Sequence, residues 1–237
     1  MTLFPLWATS MVCNDNNNLF YFSHMEFKRN KHELKSIGNT VVNVIGLTGG
    51  IASGKTVAEA ALKNAGYFVI DADDISRKLF AADTDGGITL CKLFPEANSQ
   101  GRLDRAKLRA IISRDNDARH RLNDYTHPII IDEIKRIISA TPPPVVLSAP
   151  LLFETSLAAL CDVTVCIYCP TAERVKRLCT RDGVSESDAR AMIKAQIPDA
   201  ERCTIADFVV PSDRDRQEFE REVLELFGAI VNPKLRK

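Results

Sequence analysis

A glycine-rich segment, GGIASGKT at residues 49–56, carries the clearest chemistry in the sequence. It matches the pattern G-x-x-x-x-G-K-[ST] and lies between an apolar, β-branched run and an alanine-rich segment of helical composition. In that setting glycines let backbone N–H groups wrap phosphate oxygens, and the helix N-terminus adds its positive dipole end. Lys55 is expected to reach the β- and γ-phosphates, and Thr56 to bind Mg²⁺. The segment therefore predicts a nucleotide-binding phosphate loop (the P-loop).

The alternative interpretation of this segment is a glycine turn that matches the pattern by coincidence. The flanking strand and helix argue against it, because they supply the context that the motif requires. The pattern is not G-x-G-x-x-G, which disfavours a dinucleotide-binding fold. The residues predicted to contact the nucleotide are Gly50, Ile51, Ala52, Ser53, Gly54, Lys55, Thr56 and Val57.

Three aspartates, Asp71, Asp73 and Asp74, follow the second predicted strand. Ligands of parallel α/β sheets bind beyond the carboxyl ends of the strands, and the P-loop is expected at the end of the neighbouring strand. Asp71 is therefore predicted to face the γ-phosphate, where it would take the proton of an acceptor hydroxyl. The alternative for Asp71 is a helix cap. Asp73 and Asp74 are expected to start the next helix, and for Asp73 a capping role is favoured.

The elements that must position these residues alternate between strand and helix. The first strand (42–47), the helix Lys55–Asn64 ended by Gly66, and the second strand (67–70) predict a parallel, right-handed βαβ unit. Residues 73–140 are mainly helical, with Asp104 as an N-cap and Pro128 opening a further helix. Three more strands are predicted, at 145–154, 162–168 and 208–210. Thr171 is predicted to cap a helix that Gly183 ends, Ser185 to cap the next helix, and a closing helix to run over 214–226. This alternation predicts an α/β domain of three layers around a parallel sheet.

The composition excludes several classes of partner. The chain has 237 residues, and its 31 Lys+Arg balance its 31 Asp+Glu, so a nucleic-acid or anionic-membrane partner is not expected. No apolar run is long enough to predict a transmembrane helix. The seven cysteines fit a reducing compartment, and the C-x-x-C of Cys166 and Cys169 lies in a predicted buried strand, which favours core cysteines over a metal site.

Residues 1–40 differ from the rest of the chain. They hold a cluster of asparagines and show no sustained period, which predicts a disordered or loosely docked extension before a domain at 41–237. The start is a poor secretory or transit signal. We expect a cytosolic protein, although the extension leaves mitochondrial delivery open.

The string GLTGGIASGKT…AGYFVIDADDISR resembles the dephospho-coenzyme A kinase family. Similar segments follow in the family's order: GRLDRAKLR, HP at 127–128, PLLFE, TAERVKRLCTRDG and KAQIPDAERCTIADFVV. The resemblance covers about residues 43–228, and the DAD and PLLFE segments are more specific than the P-loop alone.

The resemblance implies an ATP- and Mg²⁺-dependent kinase that phosphorylates the ribose 3′-hydroxyl of dephospho-coenzyme A, the last step of coenzyme A biosynthesis. It implies a P-loop kinase core with a parallel sheet, a helical substrate-binding region at about 72–140 and a helical lid at about 171–204. Asp71 matches the family's catalytic base, and Lys55 and Thr56 match its phosphate and Mg²⁺ residues. Asp73, His127 and Glu154 are expected to bind substrate. Glu154 is expected to end the third strand at the same carboxyl edge, where it would contact Mg²⁺ or substrate, and its alternative is a carboxylate at a helix start.

Four arginines of the predicted lid are candidates to meet the phosphate charge: Arg174, Arg177, Arg181 and Arg202. Arg181 is favoured because it precedes Asp182 as in the family's R-D pair. Acidic residues are interleaved here, so the alternative is a solvated helix face, and for Arg174 that alternative leads. His127 has its own alternative, a histidine satisfied at a helix start.

The sequence departs from the family at a few positions, namely Ala52, Val57, Ala149 and VVPSD at 209–213. Ala52 replaces a glycine and is tolerable if its φ angle stays negative. Two rival functions stay open: another small-molecule or nucleoside kinase, since fold does not fix substrate, and a catalytically weak nucleotide-binding module.

Overall fold

The computed structural model describes residues 10–13, 19–22 and 41–232. In the N-terminal segment, strands β1 (Ser10–Cys13) and β2 (Leu19–Phe22) pair antiparallel. The rest of the predicted extension lies outside the described residues, so its lack of order stays a prediction. Within the described part of the chain, no helix is long and apolar enough to span a membrane.

A five-stranded parallel sheet forms the centre of the domain. The strands after β2 are β3 (Val44–Gly49), β4 (Phe68–Asp71), β5 (Asn98–Ser99), β6 (Arg102–Leu103), β7 (Val145–Ser148), β8 (Val163–Tyr168) and β9 (Phe208–Pro211). The order in the large sheet is β4-β7-β3-β8-β9, and β5 and β6 form a separate antiparallel hairpin. The predicted parallel sheet is confirmed.

The prediction that the strand carrying Asp71 neighbours the P-loop strand is wrong, because β7 lies between β3 and β4. The physical reason is burial. Every residue of β7 is buried, whereas Phe68 of β4 is 48% exposed, which suits an edge position. The crossover through the first helix therefore passes over one strand position.

Helices cover both faces of the sheet. They are α1 (Lys55–Asn64), α2 (Ala72–Leu79), α3 (Asp85–Leu93), α4 (Arg105–Arg114), α5 (Asn116–Ala140), α6 (Thr171–Asp182), α7 (Glu186–Lys194), α8 (Asp199–Ile205) and α9 (Arg216–Val231). On one face, Ile45 and Leu47 of β3 pack against α1 and α9. On the other face, Val44 and the strand β7 pack against α2 and α5. These three layers confirm the predicted architecture.

The helical region between β4 and β7 has its own small core. Phe80, Phe94 and Leu108 are buried there among α3, α4 and α5. Asp104 caps α4 as predicted, accepting hydrogen bonds from the N–H groups of Ala106 and Lys107. Pro128, however, does not open a helix.

Pro128 lies inside α5. Proline removes one helical N–H donor, but a long helix can continue when its apolar side is well packed. Here Ile130 and Ile134 pack against the core beside the sheet. Tertiary packing therefore overrides the local stop signal.

Helices α6, α7 and α8 lie in the region at about 171–204 for which a lid role stays a prediction. Gly183 ends α6 in the left-handed conformation, and Ser185 caps α7 by accepting from the N–H of Asp188, both as predicted. The prediction that Thr171 caps this helix is wrong, because Thr171 is the first residue of α6 and the cap position belongs to Pro170. These three helices follow the carboxyl end of β8 and precede β9. Because the strands are parallel, the helices lie near the edge of the sheet where β3 also ends.

Candidate active site

The P-loop joins β3 to α1, and the surrounding atoms or the backbone conformation require glycine at three of its positions. A Cβ at Gly50 would lie 2.5 Å from a guanidinium nitrogen of Arg174, and a Cβ at Gly49 would meet Ser53 and the carbonyl of Ile167. Gly54 has a φ of +100°, which favours glycine, and α1 begins immediately after it. The loop can therefore approach a phosphate closely at a helix N-terminus.

Ala52 adopts a φ of +59°, the left-handed region. The condition under which an alanine is tolerated here without strain, a negative φ angle, is therefore not met. An alanine in this conformation carries steric strain of about 1–2 kcal/mol that a glycine would not. The side chain is partly buried against Val175 and Leu178 of α6, which offsets part of that strain.

Lys55 projects from the first turn of α1 towards the end of β7. Its Nζ donates hydrogen bonds to Glu59 Oε1 at 2.6 Å and to Ser148 Oγ at 2.9 Å. Ser148 is fully buried and donates in turn to Glu59. Sequence reasoning missed Glu59 and Ser148, although the i, i+4 spacing of Lys55 and Glu59 on a helix was an available signal.

A cleft of about 730 Å³ opens beside the P-loop. It is strongly cationic, because six of its lining side chains are basic and one, Glu173, is acidic. The basic residues are Lys55, Lys176, Arg177, Arg181, Arg214 and Arg216. Thr56 and Val57, both predicted to contact the nucleotide, also line the cleft, and so does Phe219. Such a cleft suits a polyanion with an apolar part, which is the chemistry of a nucleoside triphosphate.

Asp71 is both the last residue of β4 and the N-cap of α2. Its Oδ1 accepts hydrogen bonds from the N–H groups of Asp73 (2.9 Å) and Asp74 (3.2 Å). Its Oδ2 lies 3.9 Å from Arg77, and the side chain is 27% exposed. The alternative reading of Asp71 as a helix cap is thus confirmed, and one carboxylate oxygen stays available for chemistry.

Asp73 lies in the first turn of α2 together with Asp74. The helix start is as predicted, but the cap is Asp71, so the capping role for Asp73 is wrong. The pKa of Asp73 is raised, chiefly because burial penalises its charged form and then because the Asp71 carboxylate is close. Two neighbouring carboxylates at the end of β4 form an acidic counterpart to the cationic cleft.

Of the four candidate arginines, two are buried and two reach the cleft. Arg174 and Arg202 are each 1% exposed, so the solvated-face interpretation of Arg174 is wrong. Arg181 lines the cleft, is 60% exposed and holds a two-bond ion pair with Asp182. Arg177 lines the cleft and donates to the carbonyl of Ser212 at 2.7 Å.

Glu154 does not end the third strand, as the sequence suggested. Strand β7 ends at Ser148, before Pro150 removes an N–H donor, and Glu154 follows in a turn. Its carboxylate lies 3.4 Å from Arg202 instead. His127 is half-buried in the middle of α5, so the alternative that placed it at a helix start is wrong.

A family model for dephospho-CoA kinase matches residues 43–218. The chain belongs to the dephospho-CoA kinase family. A dephospho-CoA kinase of Geobacillus kaustophilus is 36% identical, over 77% of this chain and 94% of the relative. A dephospho-CoA kinase domain-containing protein of Danio rerio is 37% identical, over 79% of this chain and 85% of its own length.

Solved structures agree with this assignment of dephospho-CoA kinase family membership. TT1252 of Thermus thermophilus superimposes with a TM-score of 0.71 at 30% identity, covering 80% of this chain and 98% of that one. Dephospho-CoA kinase of Campylobacter jejuni superimposes with a TM-score of 0.62 at 26% identity, covering 81% and 98%. The likeness to these solved structures therefore covers about four fifths of the chain.

Within this dephospho-CoA kinase fold, the departure at 209–213 has a structural role. The Ser212 hydroxyl donates to the carbonyl of Ser53, and its N–H donates to the carbonyl of Tyr168 at 2.8 Å. Ser212 is buried against Gly54 and lines the cleft. Sequence reasoning did not single it out, because its partner is a backbone atom far away along the chain.

Proposed function

We propose that this chain transfers the γ-phosphoryl group of ATP to the ribose 3′-hydroxyl of dephospho-coenzyme A, giving coenzyme A and ADP. The observation that carries the proposal is the cationic cleft lined by the P-loop in a chain that belongs to the dephospho-CoA kinase family. The relatives and the Campylobacter jejuni structure that bear this enzyme's name support the substrate.

Lys55 and the lid cations stabilise the charge of the transferring group in this proposal. The amine of Lys55 moves little when the phosphates bind, because it is already held by Glu59 and Ser148 at the end of the sheet. Arg177 and Arg181 of α6 line the same cleft as Lys55. Fixed cations that face the region where negative charge builds up lower the barrier without reorganisation.

Asp71 acts as the general base. Its Oδ2 takes the proton of the acceptor hydroxyl as the oxygen bonds to the γ-phosphorus and the bond from that phosphorus to the bridging oxygen breaks. Because Oδ1 accepts two N–H bonds from α2, the carboxylate is held in one orientation. Asp73, one residue into α2, is placed to bind the same acceptor, and His127 and Glu154 stay predicted substrate contacts.

Mg²⁺ fits the residues of this site. Thr56 is exposed and lines the cleft, and the described residues contain no group of three or more His, Cys, Asp or Glu that would hold a metal alone. That arrangement suits an ion that keeps phosphate oxygens and water as most of its ligands. Thr56 would hold the ion, which would neutralise charge on the β- and γ-phosphates.

The test is ADP release from ATP and Mg²⁺ with dephospho-coenzyme A, adenosine, AMP and CMP as separate acceptors, with mass detection of the 3′-phosphorylated product. Turnover with dephospho-coenzyme A alone supports the proposal. Turnover with another acceptor supports the rival small-molecule kinase. Nucleotide binding without turnover on any acceptor supports the binding module.

The proposed setting is the cytosol, with a small-molecule substrate and neither nucleic acid nor membrane as partner. Delivery to mitochondria by the N-terminal segment is the alternative. Imaging the full chain with a C-terminal tag distinguishes the two, because mitochondrial delivery would give co-localisation with an organelle marker.

A further inference from the structure

The backbone of Ile51, in the middle of the P-loop, is held on both sides by side chains of the lid. Its N–H donates to Gln196 Oε1 at 2.8 Å, and its carbonyl accepts from Arg174 Nε at 2.7 Å. Arg174 belongs to α6, and Gln196 follows α7. The N–H of Ile51 is therefore directed at the lid rather than at a phosphate, unlike the general expectation for loop amides.

The two lid side chains are themselves fixed. The Arg174 guanidinium is buried, pairs with Asp199 and lies 3.4 Å from Gln196 Oε1. Asp199 also pairs with the buried Arg202 at 3.1 Å, which in turn lies 3.4 Å from Glu154. Two buried guanidinium groups thus share two carboxylates, which offsets the penalty of burying their charge.

The two buried arginines of this network do not line the cleft, unlike the other arginines of α6. Arg177 and Arg181 of α6 line the cleft, whereas Arg174 lies behind the loop, where the missing Cβ of Gly50 makes room for its guanidinium. A buried side chain behind the loop cannot be a phosphate ligand. It can only decide which shape the loop adopts.

The backbone of the P-loop is strained directly after Ile51. Ala52, directly after Ile51, has its φ angle at +59°. An alanine seldom adopts that conformation unless its surroundings impose it. The hydrogen bond that the Ile51 N–H donates to Gln196 and the one that its carbonyl accepts from Arg174 supply such a constraint, because they fix the peptide groups on both sides of Ile51.

We propose that Gln196 and Arg174 are positioning residues that couple the lid to the P-loop, so that the loop keeps its phosphate-binding shape only while the lid is docked. Nucleotide affinity then depends on residues that never touch the nucleotide. Because a nucleotide favours the docked lid, and the docked lid favours the phosphate-binding loop, the two are thermodynamically linked. The role in turnover rests on the proposed function, but the effect on binding does not.

The test is the affinity for ADP and Mg²⁺, measured by calorimetry without any acceptor. Gln196→Ala removes the acceptor of the Ile51 N–H while keeping both buried arginines, and we expect affinity to fall about tenfold. Gln196→Glu keeps an acceptor oxygen and should bind within about twofold of the parent. Gln100→Ala, at an exposed turn far along the chain, is the matched control and should leave affinity unchanged.

A second substitution separates positioning from a general structural role. If the network holds a strained alanine, Ala52→Gly should restore most of the ADP affinity lost in Gln196→Ala, since glycine adopts that conformation without strain. Parent-like affinity of Gln196→Ala would overturn the proposal. So would a lower melting temperature with unchanged affinity, or a double variant as weak as the single one. Failure of the parent to phosphorylate dephospho-coenzyme A would instead refute the proposed function alone.

Discussion

The amino group of Lys55 lies 2.9 Å from the hydroxyl of Ser148. Ser148 is also the register partner of Asp71 across strands β7 and β4. One buried serine at the carboxyl edge of the sheet thus stands between the cation expected to meet the phosphates and the carboxylate expected to take the acceptor's proton. The residues expected to serve the phosphoryl donor and the acceptor are thus linked through β7, a strand that sequence reasoning did not place between them.

Replacing Lys55 tests the first half of this arrangement. Lys55→Met keeps much of the side-chain volume but removes the charge, and we expect kcat with dephospho-coenzyme A to fall by about 100-fold or more. It also leaves the buried Glu59 without its cation, so stability should fall by about 1–3 kcal/mol. Steady-state kinetics and thermal unfolding measure the two effects.

The matched control for Lys55 is Lys63→Met, on the same helix but exposed in its last turn. Its kcat should equal that of the parent. Parent-like turnover of Lys55→Met would remove Lys55 from the phosphate site.

Asp71 has two roles that one substitution can separate. Asparagine caps helices about as well as aspartate but is no base. Asp71→Asn should therefore lower kcat by about 100-fold or more with little change in ADP affinity or melting temperature. Asp71→Ala should lose the same activity and, in addition, about 1 kcal/mol of stability through the lost cap.

The control for Asp71 is Asp104→Asn, because Asp104 caps α4 by accepting from the equivalent two N–H groups of its own helix. That variant should keep full turnover. If Asp71→Asn turned over at the parental rate, Asp71 would be a cap and nothing more.

Local signals predicted part of this fold well. Both bounds of helix α1, the caps at Asp104 and Ser185 and the helix end at Gly183 are confirmed, because each depends on residues close together in the chain. The strand order was not predictable in the same way. It depends on which strand is buried on both sides, and that is decided by partners from the whole chain.

The site was predicted to a similar degree. The P-loop and the Asp71 region follow from spacing, but the burial of Arg174 does not. Acidic neighbours on α6 suggested a solvated face, whereas the residue that pairs with its charge is Asp199, on another helix. Long-range ion pairs of this kind leave no periodic signal in one sequence.

Ala52 offers a test of the loop's strain in the parent background. Because its φ angle is +59°, Ala52→Gly should raise stability by up to about 1 kcal/mol, the relief of steric strain exceeding the loss of chain entropy. Ala60→Gly is the opposite control, since Ala60 is exposed in the interior of helix α1 and its replacement should lose about 0.5–1 kcal/mol. Chemical denaturation measures both, and equal signs for the two variants would contradict the strain at Ala52.

Asp73 and Asp74 lie in the first turn of α2. We expect them to change the stability of the folded protein with pH in opposite directions. The pKa of Asp73 is raised, first by burial and then by the charge of Asp71, so the folded state holds its proton more tightly than the unfolded chain. Its contribution to stability is thus most favourable at low pH. That contribution is lost as pH rises from the ordinary aspartate pKa of about 4 through the raised value.

Asp74 has the reverse sign, because the hydrogen bond from Lys78 lowers its pKa. Its stabilisation is present above the ordinary aspartate pKa and is lost as pH falls through the lowered value. At neutral pH we therefore expect Asp73→Asn to raise the melting temperature and Asp74→Asn to lower it. Melting curves from acid to neutral pH check this, and a lower melting temperature for Asp73→Asn at neutral pH would contradict the shift at Asp73.

Arg181 tests whether an exposed lid cation takes part in catalysis. Its ion pair with Asp182 is at the surface, where such pairs contribute less than about 1 kcal/mol, so Arg181→Met should leave the melting temperature nearly unchanged. If Arg181 meets the transferring phosphoryl group when the lid closes, kcat should fall by about 10- to 100-fold while the affinity for ADP changes little. Arg190→Met is the matched control, because Arg190 is about as exposed as Arg181 and pairs with Glu186 on α7. An equal loss of kcat in both variants would assign the effect to the general charge of the lid, whereas a loss confined to Arg181→Met would place that guanidinium at the reacting group.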